Sequence, residues 1–180
     1  MKKLSNGKII FRYALLAGVC MIIFWFSSNN GEDSTSQSGF VVDFICRIFF
    51  PDMEMTEPAR QLAIIDILSV CVRKAAHLSI YMLLGALSFA AFFPVRKKWV
   101  RMLLAVMFTF VYACTDEIHQ MFVPYRTGKI SDVIIDTFGG TVGAAAVLIF
   151  VIVIEAARII RENEKQRSSE SENPENAEKS

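Results

Sequence analysis

Three short stretches of the chain gather side chains able to do acid/base or ligand chemistry. In RKAAHLSIYMLLG, Lys74, His77, Tyr81 and Gly85 are spaced i, i+3, i+7 and i+11, which puts all four on one stripe of a helix. In TDEIHQ, Asp116, His119 and Gln120 share a face, with Glu117 beside it and within reach of Gln120. In SDVIIDTFGGTVG, Asp132, Asp136, Gly139 or Gly140, and Gly143 make a third stripe. This mixture suits general acid/base work by His77, Asp116 or Glu117, with Lys74 and Arg126 receiving a phosphate or carboxylate. The candidate ligand-binding set is Lys74, His77, Tyr81, Asp116, Glu117, His119, Gln120, Arg126, Asp132 and Asp136. A zinc site would draw on His77, His119 and one or two carboxylates. There is no H-E-x-x-H, however, and the two histidines fall on separate helices, so no metal or cofactor is assigned. No G-x-S-x-G gives Ser79 or Ser88 the setting of a nucleophile. The competing reading of all three stripes is structural: ion pairs and hydrogen bonds that specify how helices pack.

The elements that must position these stripes are membrane helices. With 53% hydrophobic residues, fifteen Phe and only five Pro and nine Gly, the chain is neither disordered throughout nor of low complexity. Four apolar runs reach or approach the roughly 20 residues that cross about 30 Å of hydrocarbon, at about 9–26, 75–93, 99–114 and 133–154. The first has a basic start, like a signal peptide, but is longer than a usual signal core and lacks an A-x-A-like cleavage pattern, so it is read as an uncleaved span. The fold class is therefore all-α, a polytopic bundle of four transmembrane helices. An ionisable group inside such a helix costs about 2.5 to 3.5 kcal/mol on insertion scales, so each one is a candidate for function.

The 19 Lys and Arg nearly balance the 18 Asp and Glu, which excludes a general nucleic-acid binder. Their distribution is uneven. Thirteen fall before or at the start of span one, between spans two and three or at the start of span three, or after span four, and the other six are Arg47, Arg60, Arg73, Lys74, Arg126 and Lys129. The positive-inside rule then predicts cytoplasmic termini, and outward-facing loops at roughly 27–74 and 115–132. All three polar stripes converge at the outer end of the bundle.

The long outer loop opens on SSNNGEDSTSQSG, which reads as a flexible connection. Phe40, Phe44 and Ile48 then recur every four residues, the pattern of a short amphipathic helix in the outer interface. A second such helix, capped by Thr56 with Glu57 and Pro58 in its first turn, runs through Ile64, Leu68 and Cys71 into span two. Cys46 and Cys71 both lie on the outer side and are able to pair. The membrane domain is placed at 1–160, and the charged, Ser-rich residues 161–180 are expected to form a disordered cytoplasmic tail.

The three motifs taken in order, R-K-x-x-H-x-x-x-Y-x-x-L-G, D-E-x-H-Q-x-F-x-P-x-R and S-D-x-x-x-D-T-x-G-G-x-x-G, resemble those of the VanZ-like family of bacterial membrane proteins. The similarity covers roughly residues 9–155. It implies a multi-pass protein of the bacterial cytoplasmic membrane with an envelope role, extending to teicoplanin (glycopeptide) resistance, and leaves open whether the protein is an enzyme. The partners it suggests are membrane lipids, a lipid-linked cell-wall precursor, or a glycopeptide antibiotic. Two departures stand out: Pro124-Tyr125-Arg126 replaces the family's common Pro-Gly-Arg, and Asp136 stands where Asn is common.

Overall fold

The computed structural model describes residues 6–28, 31–51, 56–124 and 126–171, with the backbone alone for 31–38 and 169–171. Five helices make up the architecture of the described residues: α1 (Asn6–Ser28), α2 (Gly31–Phe49), α3 (Pro58–Ala91), α4 (Lys98–Gln120) and α5 (Ile130–Ser171). All but α2 are long and apolar enough to cross a membrane. At 1.5 Å per residue the 34 residues of α3 exceed the hydrocarbon thickness by about 20 Å, so its first turns project beyond the span.

Helix α3 is the hub and packs against each of the other four. Its closest partner is α5, and the reason is glycine at the crossing. A Cβ added at Gly85 would lie 1.9 Å from the carbonyl oxygen of Gly140, and one at Gly143 would lie 1.8 Å from that of Met82. Gly140 also meets Thr109 of α4, where a Cβ would come 2.2 Å from the Thr109 methyl. Only residues without side chains allow backbones this close, and the approach brings the polar stripes of three helices to one place. On α4 the buried stripe is Arg101, Ala105, Thr109, Ala113, Asp116, Glu117 and Gln120, small in the middle and polar at both ends. Leu16, Val19 and Ile23 of α1 complete a core with Tyr81, Leu84, Ala91 and Ala113. Phe89 joins a second core cluster with Ala105 and Ala144, while many other large apolar side chains, among them Phe11, Trp25, Trp99 and Phe150, are exposed, as a bundle solvated by lipid requires.

Basic residues at the opposite end also hold the bundle together. Arg101 is 6% exposed, donates from Nε to the Phe89 carbonyl at 2.7 Å and lies 3.9 Å from the Phe89 ring centroid. Arg12 reaches across from α1 to the Ala90 carbonyl at 3.0 Å, and Lys98 pairs with Glu155.

Several local expectations are corrected. The Ser/Asn-rich segment predicted as a flexible connection is helical from Gly31 onward and leads without a break into the Phe40–Ile48 stripe, whose Phe40, Phe44 and Ile48 are exposed while Val42 faces the bundle. Helix α3 is capped at Glu57 and not at Thr56, with no side-chain cap bond: Pro58 supplies a fixed φ and has no N–H to satisfy. Cys46 and Cys71 are both free thiols. Helix α5 continues past Arg161 to Ser171, since its Arg, Glu, Lys and Gln residues favour helix in the absence of a Pro or Gly stop; the rest of the predicted tail, 172–180, lies outside the described residues.

Candidate functional site

The polar stripes of α3, α4 and α5 meet where the C-terminal turns of α4 face the N-terminal turns of α5. Lys74 Nζ pairs with Asp132 Oδ1 at 3.2 Å, on the accessible rim. One turn deeper, His77 Nδ1 stands 3.6 Å from Asp136 Oδ2. Deeper again, the fully buried Tyr81 donates its hydroxyl to Asp116 Oδ2 at 3.1 Å, and Gln120 Nε2 donates to the same oxygen at 3.2 Å. Glu117 accepts the backbone N–H of Lys129 at 2.7 Å through Oε2. That bond requires the loop after α4 to fold back closely, and Gly128 allows it: a Cβ there would lie 2.7 Å from the Glu117 carbonyl oxygen.

Two cavities open onto this network. The first, about 580 Å³, lies between α1, α2 and α3 and is largely apolar, with Ile23, Phe26, Val41, Ile80 and Leu83 in its walls. The second, about 250 Å³, is polar and holds Lys74, Lys129, Asp132 and Asp136. Arg73, His77 and Arg126 line both. Arg126 also donates toward the Phe26 carbonyl at 3.5 Å. Burial lowers the pKa of its guanidinium from the ordinary value, with Asp116 and Glu117 opposing that shift, and an arginine remains charged throughout.

Nine of the ten predicted ligand-binding residues thus gather around one network. His119 does not. Its Nε2 shares a 3.1 Å hydrogen bond with Ser28 Oγ, and its ring stacks on Phe24 at 4.5 Å, so it fastens α4 to α1. The zinc set that would combine His77 with His119 is therefore not assembled. Arg73 was legible as a base and belongs to the site as a wall of both cavities. The apolar wall from α1 and α2 had no signal in the sequence, because Ile23, Phe26 and Val41 look like any other membrane residues. Tyr125, one of the two departures noted above, lies outside the described residues.

A four-span helical bundle with a cationic and carboxylate-rich cluster at one end of the spans is the class of protein that this fold and site define. Within that class the chain belongs to the VanZ/LLP1 family, whose model matches residues 12–153. Comparison with curated proteins and with solved structures finds no match.

Proposed function

We propose that the protein is an envelope protein of the bacterial cytoplasmic membrane, with both termini cytoplasmic, that binds an anionic lipid-linked envelope component or a lipoglycopeptide at its outer face and lowers susceptibility to glycopeptides such as teicoplanin. One observation carries this reading: an apolar cavity of about 580 Å³, roomy enough for part of an acyl chain, shares Arg73, His77 and Arg126 with a polar cavity that adds Lys74 and Lys129. An acyl chain in the first places an anionic headgroup in the second. The guanidinium groups suit a phosphate or carboxylate geometrically as well as by charge. Between this cluster and Arg101 the buried polar side chains Ser88 and Thr109 turn back onto their own helices, bonding Leu84 and Ala105 carbonyls at 2.8 and 2.9 Å. This supports binding at one leaflet over passage through the bundle.

The test is Arg126→Gln and Arg73→Gln in a teicoplanin-susceptible bacterial host, scored for the inhibitory concentration, for membrane abundance, and for anionic lipid retained on purification. Loss of protection and of retained lipid at unchanged abundance is the expected result. Full protection with both arginines replaced would reject the site.

A second reading, an intramembrane enzyme that modifies a lipid-linked cell-wall precursor, draws on the buried Glu117, whose Oε1 has no hydrogen-bond partner, and on His77 in both cavities. It requires a lipid or precursor species that appears with the protein and disappears in the His77→Ala and Glu117→Gln strains.

A further inference from the structure

We propose that His77, Asp116 and Asp136 form a binding site for a divalent transition-metal ion of the zinc or manganese type. The site stands independently of the lipid-binding reading, since it rests on the three donors themselves and not on what fills the cavities.

The donors come from three helices. One ligand atom from each of His77 on α3, Asp116 on α4 and Asp136 on α5 lies within 4.8 Å of the other two. The His77 Nδ1 to Asp136 Oδ2 separation of 3.6 Å is too long for a hydrogen bond. It is, however, the edge of a coordination tetrahedron: metal bonds of about 2.0 to 2.2 Å separate adjacent ligands by roughly 3.3 to 3.6 Å. The other two edges lie within 4.8 Å, and a small movement of the His77 and Asp136 side chains toward Asp116 closes them.

Asp136 is the independent sign that something belongs there. Its side chain is 1% exposed, and neither carboxylate oxygen has a hydrogen-bond partner. A buried carboxylate in that condition is costly unless a cation compensates it. Lys74, the nearest lysine along the stripe, is committed to Asp132. Arg73, Arg126 and Lys129 share the polar cavity with Asp136, yet the cation paired with it is His77, at 3.6 Å, and that pair leaves both oxygens without a hydrogen bond. A divalent ion between the three donors compensates the buried charge of Asp136 and takes the His77 imidazole as a ligand at once.

The surroundings are those of a metal site. Tyr81 and Gln120 both donate to Asp116 Oδ2, which fixes the carboxylate and leaves its other oxygen for the ion, the outer-shell arrangement that orients ligands in metalloproteins. His77 and Asp136 line the polar cavity, which provides an entry path and room for water or an anionic headgroup at the open coordination positions. One imidazole with two carboxylates is a borderline to hard set, suited to zinc or manganese and unsuited to copper(I).

The experiment uses the full-length protein in detergent, purified through a tag without histidine, stripped with chelator and dialysed against micromolar Zn²⁺ or Mn²⁺. Elemental analysis should find one ion per chain. Asp136→Asn and His77→Gln should each lower that content at least tenfold, while Tyr81→Phe should bind with affinity reduced by about 10 to 100-fold. Pulsed EPR of the Mn²⁺-loaded natural sequence should show coupling to one imidazole nitrogen, a readout that needs no variant to fold. Wild-type protein that retains no ion, or retains one without nitrogen coupling, would overturn the proposal. So would variants that fold and keep the wild-type content.

Discussion

The hydroxyl of Tyr81, fully buried in the middle of α3, donates to a carboxylate oxygen of Asp116 35 residues away, and that 3.1 Å contact ties the hub helix to the polar end of α4. Gln120 donates to the same oxygen from one turn further along α4. Removing one donor leaves a buried acceptor less satisfied, at about 1 to 3 kcal/mol. Tyr81→Phe should therefore lower thermal stability in detergent. Because Gln120 shares the acceptor, the pair Tyr81→Phe and Gln120→Ala should be non-additive in a double-mutant cycle, with a coupling of about 0.5 to 3 kcal/mol.

The α3 and α5 crossing should be intolerant of a single methyl group. Gly143→Ala places a Cβ 1.8 Å from the Met82 carbonyl oxygen, a backbone atom that moves only with its helix. A loss of about 1 to 3 kcal/mol or more is expected, seen as reduced melting temperature and membrane abundance. Gly18→Ala is the matched control: nothing lies within 4 Å of its Cβ, so relief of glycine's helix penalty should leave stability unchanged or raise it by about 0.5 to 1 kcal/mol.

Arg101 should prove structural and specific to arginine. Its guanidinium both donates to the Phe89 carbonyl and lies over the Phe89 ring, with Phe93 at 5.3 Å. Lysine keeps the charge but loses the planar donor set. Arg101→Lys should lower the melting temperature while leaving retained anionic lipid per folded molecule as in the natural sequence.

His119 and Arg126 should separate cleanly. His119→Ala removes the bond to Ser28 and the stack on Phe24, so it should cost stability, about 1 kcal/mol, with little effect on lipid retention per folded molecule. Arg126→Gln should do the reverse, because Arg126 lines both cavities. Co-purified lipid quantified against folded protein distinguishes the two.

Much of this was legible in the sequence for a simple reason. Long apolar runs must be helical in lipid, and helical periodicity alone puts Lys74, His77 and Tyr81 on one stripe and Asp132 and Asp136 on another. Alternating spans then bring those stripes to one end. The same logic failed where a residue's direction around the helix mattered across helices. His119 shares a face with Asp116 by spacing, yet α4 is rotated so that Asp116 points to α3 and His119 to α1. The Gly31–Gly39 segment failed for another reason: its polar composition matches a loop, while in the fold it continues a helix whose Val42 is buried.

By itself, then, the sequence determined the helices, their alternation and the polar inventory at one end, because hydrophobic length and period are local properties of the chain. Only the tertiary structure decided which acid meets which base, that Asp136 is buried with neither oxygen hydrogen-bonded, and that an apolar cavity adjoins the charged one. Those depend on how far each helix turns and how closely it approaches its neighbours, and here the approach is set by Gly85, Gly140 and Gly143, where the missing side chain lets one backbone reach another.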